Sequence, residues 1–545
     1  MNPKTRLANH PIDALLWIGG AIAILAVVYA RIRLIDIPLE RDEGEYAYAG
    51  QLILQGIAPY TLAYNMKFPG VYLSYAAIMA IFGQSIAGIH IGFLLVHLLT
   101  TLFLILIARR FVRPLPAFIA SAAYTVMAIS PAVLGLAAHA THFINFFSLG
   151  GLLFLLKAAE THAKKWLFLS GVFLGLACLM KQHAVFFIFL GLLYLLLPQH
   201  PDKGRPFLKG ALPAIFRLCL GIACPLVLTG FWLWEQGVFD RFWFWTFSYA
   251  KAYASIVPLG AGLLYARMGF SSLIQSAPLL WVLAAFGFLG LFFGKFEQRK
   301  RLFLEAWLLM AFLSICPGFY FRQHYFVPLL PVLCVLIAIA LHAAASPVPI
   351  NRKGHVIAAL LGCVALLGCF QSLFNHQKLY FLLSPAEASR AQYGLNPFPE
   401  SLVLSRYIQQ HTRAEDRIAV LGSEPQIYFY SQRHSATGYI YTYALMEPQP
   451  FAGKMQADMI EEIERAKPAY IVFVAVSTSW LMSQNSNRDI FAWFNTYRER
   501  WYDEVALMPI SDQTDQTLIQ EAGGQPIPSP TPYFLRLYAR KSDGG

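Results

Sequence analysis

Charge is what this 545-residue chain has least of: 13% of its residues are Asp, Glu, Lys or Arg, against 57% hydrophobic residues and a mean hydropathy of +0.51. That balance excludes a string of water-soluble domains and makes the bilayer the natural solvent. Cysteine is equally confined. All seven (Cys178, Cys219, Cys224, Cys316, Cys334, Cys363 and Cys369) fall in apolar stretches, which excludes a disulfide framework and leaves buried thiols packing as small hydrophobes. The chain has no Walker loop, GxGxxG or metalloprotease motif, so a nucleotide held by a standard phosphate loop is not expected. No fixed-period repeat occurs. The first apolar run has no short core followed by a small-residue cleavage site, and reads as a retained helix. No Asn-x-Ser/Thr acceptor lies in the parts expected outside, which fits a bacterial membrane.

What the chain does have is apolar runs of membrane-spanning length. Asp13 to Ile35, Ile91 to Ala108, Leu218 to Trp234 and His355 to Phe374 each suffice for a hydrocarbon core of ~30 Å. Further crossings are expected at 115–135, 138–158, 166–181, 183–198, 273–294, 302–318 and 325–345, giving about eleven, with the stretch at 72–88 along the interface. The spans flanking Met180-Lys181-Gln182-His183 are short, which suggests a turn sunk below the outer surface and covered by protein.

Lys and Arg then set orientation. Lys4 and Arg6, Arg109 to Arg113, Lys157, Lys164 and Lys165, Lys203 to Arg217, Lys295 to Arg301, and Arg352 with Lys353 all fall on one side, which is therefore cytoplasmic. The N-terminus is expected inside and everything after about residue 376 outside, in the periplasm of a bacterial inner membrane. This positive-inside pattern also explains the net charge of +12, and no nucleic-acid partner is expected. The expected domains are a transmembrane body over 1–375 and an external α/β domain over 376–545. Strand-like runs at 417–421 and 469–476 alternate there with helical stretches near 454–467 and 489–504. Asp512 to Pro532 reads as loop, before a last strand at 533–538.

Acids near a membrane are costly, so the few that occur are informative. The expected external carboxylates before residue 375 are Asp36, Glu40, Asp42, Glu43, Glu45, Glu235 and Asp240, five of them crowded into the loop after the first helix. That loop, 36–70, is the candidate site. Tyr46, Ala49, Gly50 and Ile53 have helical spacing, so it carries a short helix, expected on the membrane surface. The plain alternative is a solvated helix start, with Asp42 and Glu43 favoured by the helix dipole. Basic residues recur at the same expected depth: Lys67, Lys181, and Arg322 with His324. Cations would hold a lipid phosphate while a nearby Asp takes the proton of an attacking hydroxyl. The aromatic stretch from Phe239 to Tyr249 and the tyrosines from Tyr428 to Tyr443 suit a sugar or prenyl wall as well as ordinary packing.

Taken together, Arg-Asp-Glu-Gly-Glu-Tyr-Ala-Tyr after helix one, Lys-Phe-Pro-Gly at 67–70, Gly-Leu-Ala-Cys-Leu-Met-Lys-Gln at 175–182 and Arg-Gln-His-Tyr-Phe-Val-Pro-Leu-Leu-Pro at 322–331 resemble the protein O-mannosyltransferase and aminoarabinose-transferase-like glycosyltransferases. The segment Val-Leu-Gly-Ser-Glu-Pro-Gln-Ile-Tyr-Phe-Tyr-Ser at 420–431 resembles the outer domain of bacterial members. The resemblance implies a GT-C fold and transfer of a sugar from a polyprenyl-phosphate donor to a lipid, glycan or protein acceptor on the external face, with inversion. It matches Asp42 and Glu43 to catalytic acids, Lys67 to the lysine on the lipid phosphate, and Arg322, Tyr325 and Lys181 to the surroundings of that phosphate. Where many relatives carry a second acid in the next external loop, this chain has His139 and His142, candidates for an acceptor contact or a divalent metal shared with Asp42, the plain alternative being interfacial histidines bonded to water or lipid headgroups. A carrier flippase, or a ligase or polymerase of undecaprenyl-diphosphate glycans, is the competing reading. A transporter would place charges near the midplane in two related halves, and neither feature is evident.

Overall fold

The computed structural model describes residues 11–197, 207–293, 296–344, 352–512, 519–522 and 527–541. Lys4, Arg6, Lys203, Lys295 and parts of the 512–532 tail lie outside the described residues. The chain divides into two compact units, one of Met1–Arg33, Ile91–Thr229 and Val257–Leu382, the other of Leu34–His90, Gly230–Ile256 and Leu383–Gly545.

The first unit is helical. Among the described residues, six helices are long and apolar enough to cross a membrane: Pro11–Arg33, Ile86–Ala108, Ala140–Thr161, Ala211–Glu235, Gln323–Ala344 and Gly354–Asn375. The protein is a multi-pass membrane protein. The outermost of these helices keep apolar side chains exposed, Leu15, Ile18, Ile22 and Leu25 on the first helix, as a lipid-facing surface requires. Leu330 to Leu341 are instead buried without interruption, so this all-apolar helix is the core of the unit. Gly171 and Gly221 let two helices touch backbone to backbone, since a Cβ on either would run into the other helix.

The other expected spans are shorter helices, Pro114–Ile129, Lys164–Met180, Gln182–Leu196, Pro278–Phe293 and Gln298–Ile315. A helix of 16 residues such as Pro114–Ile129 reaches about 24 Å, less than the ~30 Å core. The sunken turn is present: Lys181 is extended (φ −164°, ψ 141°) between the Lys164–Met180 helix and a short helical turn at Gln182–Ala184. The span expected at 273–294 is corrected. Leu273 to Ser276 end a separate helix, Leu259–Ser276, and the next begins at Pro278, a residue suited to a first turn because its missing N–H costs nothing there.

The second unit is built on a six-stranded mixed sheet: β1 (Arg417–Leu421), β2 (His434–Ser435), β3 (Tyr470–Ala475), β4 (Tyr502–Pro509), β5 (Gln520–Glu521) and β6 (Phe534–Arg540). The strand order is β2-β1-β3-β6-β4-β5, with β1 parallel to β2 and β3 and the remaining pairs antiparallel. The α/β reading holds. Three strands went unread: the two-residue β2, β4, which starts where the helix Asp489–Trp501 stops, and β5, inside the stretch taken as loop. Helix Arg41–Leu54 of the first loop packs on the short helix Gln426–Ser431, where Gly44 lies so close that a Cβ would sit 2.7 Å from the Gln426 nitrogen.

That packing explains why the first loop belongs with the C-terminal segment. Arg41 is buried and donates to Glu424 (2.6 Å), to the Ser423 carbonyl, to Tyr443 (2.8 Å) and to Asn396 (3.0 Å). Tyr430 accepts from the Leu39 amide at 2.8 Å, and Tyr48 accepts from the Ser435 amide at 2.7 Å. Removing one partner of a buried ion pair such as Arg41–Glu424 typically costs about 3–5 kcal/mol, so these contacts fix the loop rather than decorate it.

Candidate active site

The Arg41–Leu54 helix begins with a capping box. Glu40 accepts from the Glu43 amide at 3.1 Å, and Glu43 reaches back to the Glu40 amide at 3.4 Å. The other Glu43 oxygen meets His90 Nε2 at 3.2 Å, and His90 Nδ1 lies 2.7 Å from the Ile35 carbonyl. Glu40, Glu43 and Glu45 are all buried. The acidic run is therefore no solvated helix start, and the helix lies packed in protein, buried over most of its length.

Asp42 differs from its neighbours. Its side chain keeps 18% exposure, while Lys67 opposite keeps 9%, with the ammonium 3.3 Å from Oδ1. Tyr441 donates to the same oxygen at 2.9 Å. Burial, then the nearby Asp42 charge, raises the Tyr441 hydroxyl well above its ordinary range, so it stays a proton donor. Lys67 also donates to the Tyr46 hydroxyl at 3.1 Å and lies 5.3 Å from that ring's centre, while its own carbonyl accepts from Tyr60 at 2.7 Å. One turn on, Glu45 accepts from Tyr72 and from Asn65 (2.8 Å). Burial, the largest influence, pushes the Glu45 carboxyl up to about 8 against the opposing pull of Lys67.

The remaining expected site residues lie in the helical unit. Lys181 sits with its ammonium 3.9 Å from the centre of the Tyr325 ring, and His183 and His324 flank the same ring at 6.0 and 4.8 Å. Arg322 lies over Tyr320 at 5.4 Å. The segment that presents them is bent hard: Gly318, Phe319 and Phe321 all have positive φ (74°, 56° and 43°). For a bulky residue this left-handed backbone costs on the order of 1–3 kcal/mol. Asn145 secures the following turn by donating to the Val327 carbonyl at 2.9 Å.

His139 and His142 take different neighbours. His139 is the residue just before the Ala140–Thr161 helix, with extended backbone, and its ring stacks on His324 at 4.3 Å. His142 lies in the first turn with its ring edge-on to Phe93 at 4.9 Å. Both are buried. The facing imidazoles of His139 and His324 each offer a nitrogen of the kind a divalent metal takes.

Sequence reasoning missed Tyr441, His90, the Arg41–Glu424 pair and the distinct position of Glu45. Glu45 was visible as one of five acids, and Tyr441 as one of several tyrosines, but neither carries a local pattern that names its partner.

One unit is thus mostly helical, and the other holds a small mixed sheet and the Asp42–Lys67 pair. A profile of the family Dolichyl-phosphate-mannose-protein mannosyltransferase matches residues 66–228. No curated protein matches by sequence. The fold is shared with ArnT from Cupriavidus metallidurans bound to undecaprenyl phosphate, at 16% identity and a TM-score of 0.54 over 85% of this chain and 93% of that one. The apo state of the same protein gives 15% identity and a TM-score of 0.55 over 95% and 97%. The oligosaccharyltransferase of Archaeoglobus fulgidus gives 13% and 0.52 over 96% of this chain and 75% of that one. The GT-C fold expected from the sequence is thus borne out, and the mannosyltransferase resemblance has a family match over residues 66–228.

Proposed function

We propose that the protein is a membrane glycosyltransferase that moves a sugar from a polyprenyl-phosphate carrier to a hydroxyl of a lipid, glycan or protein acceptor, with inversion at the sugar carbon. The observation that carries this reading is Asp42, on a buried, capped helix start, with the Lys67 ammonium 3.3 Å from its carboxylate. Support comes from proteins of the same fold: a crystal structure of ArnT holds undecaprenyl phosphate, and the Archaeoglobus fulgidus oligosaccharyltransferase AglB is seen in complex with a dolichol-phosphate and an inhibitory peptide.

In the reaction, the acceptor oxygen attacks the anomeric carbon and the bond from that carbon to the carrier phosphate breaks, its electron pair leaving with the phosphate. The acceptor proton passes to the Asp42 carboxylate, and Lys67 offsets charge on the departing phosphate. Lys181, Arg322 and Tyr325 are the proposed phosphate contacts of the helical unit. Glu43, held by its cap and by His90, acts as a positioning residue for the helix start. The proposed setting is the bacterial inner membrane, with the N-terminus cytoplasmic and the sheet domain periplasmic.

The test compares polyprenyl-phosphate sugars and envelope glycans in cells with and without active protein. A sugar carrier that accumulates, together with one glycan that disappears, names both substrates. A carrier released with two phosphates, or no change in either pool, rejects the reading.

A further inference from the structure

At the end of the helical unit that carries Arg110, the ends of four helical segments border a half-open cavity of about 200 Å³. Its walls come from the loop after the Ile86–Ala108 helix, the last turns of Ala140–Thr161, Tyr194 near the end of Val185–Leu196, and the start of Gln298–Ile315. These are the loops whose Lys and Arg content marked the cytoplasmic face in the sequence. The inner wall is aromatic: Phe111 stacks on Phe303 at 5.9 Å, and Tyr194 meets Phe303 edge-on at 5.2 Å.

The charges around this cavity do not cancel. Arg110 is taken by Glu160, at 2.8 and 3.4 Å, and Lys300 by Glu297 at 3.8 Å. Arg299 has no carboxylate partner among the described residues. Its guanidinium lies 4.3 Å from the centre of the Tyr194 ring, and its Nε and Nη2 are buried without a hydrogen-bond partner among the described residues. A guanidinium cannot shed its charge, and its planar fork of donors matches two phosphate oxygens. Along the helix that carries Tyr194, the apolar side chains of Phe189 and Leu193 stand exposed.

We propose that this cavity is a binding site for a phosphate group, supplied by the headgroup of an anionic phospholipid of the inner leaflet, with Arg299 as its principal contact and Phe189 and Leu193 beside the acyl chains. Basic pockets between helices at the cytoplasmic face suit that chemistry. The site is independent of the glycosyl-transfer reading, since none of its residues takes part in it.

The test is native mass spectrometry of the full-length protein released from detergent with phosphatidylglycerol, phosphatidylcholine or inorganic phosphate. Wild type should retain phosphatidylglycerol at about tenfold lower concentration than phosphatidylcholine, and Arg299→Gln should lose most of that preference. Arg299→Lys, which keeps the charge without the planar fork, should fall between them and covers the case in which the neutral variant fails to fold. Displacement of phosphatidylglycerol by inorganic phosphate upholds the anion site but assigns it to free phosphate. Equal retention of the two lipids by wild type, or an unchanged preference in Arg299→Gln, overturns the proposal.

Discussion

Tyr441 donates its hydroxyl hydrogen to Oδ1 of Asp42 at 2.9 Å, so a residue nearly four hundred positions away finishes the carboxylate of the first loop. A hydrogen bond to a charged group contributes about 1.5–3 kcal/mol. Tyr441→Phe removes the donor and keeps the ring. It should lower kcat about tenfold while donor Kd stays unchanged, because the bond aims the base rather than holding the carrier. A kcat equal to wild type would show that Asp42 is positioned without it.

Lys67 is predicted to act on the other quantity. Lys67→Ala should weaken binding of the polyprenyl-phosphate donor by about 1.5–3 kcal/mol, the worth of one charge-assisted contact at a partly dry site. Titration with the carrier phosphate alone measures it. Unchanged affinity would remove Lys67 from the phosphate site.

Glu45 makes the protein's stability sensitive to pH. Its carboxyl is raised from 4.5 to about 8 by burial, so between those values the folded protein binds a proton that the unfolded chain gives up. Stability from this group is therefore complete below about pH 4.5 and is lost as pH rises through about 8. Thermal unfolding should show a wild-type Tm that declines between about pH 5 and 8 and levels off above, and a flatter profile for Glu45→Gln, which keeps the neutral form. Parallel profiles would mean that Glu45 stays ionised in the fold.

Much of this was legible in the sequence because the membrane imposes long apolar runs and a sided distribution of Lys and Arg. The first-loop helix, the turn at Lys181 and three of the six strands followed from local pattern. Leu259–Ser276 did not, because its polar face of Arg267, Ser271, Gln275 and Ser276 broke the apolar run that a span search follows. β4 was absorbed into the helix before it, since Tyr502-Asp-Glu-Val has no turn residue to separate the two. At the site, Asp42 and Lys67 were named together, but burial of Glu43 and Glu45 was not. That depends on His90, Tyr72 and Asn65 arriving from elsewhere in the chain, and no spacing rule records such partners.

Sidedness has its own test. Cysteine labels at 110, 164, 203 and 298 should react only from the cytoplasm, and labels after residue 376 only from outside. External reaction at 298 would reverse the expected topology and move the anionic-lipid cavity to the outer leaflet.

The central claim rests on Asp42 as the group that receives the acceptor proton. A positioned carboxylate typically contributes ~10²–10⁴-fold in rate, and Asp42→Asn keeps the shape while removing basicity and charge. The decisive measurement is release of polyprenyl monophosphate by purified wild type and Asp42→Asn, given polyprenyl-phosphate sugars and an envelope extract as acceptor. Wild type should release the monophosphate, and the variant should bind the carrier and release almost none. Release by Asp42→Asn at a near wild-type rate would contradict the assignment.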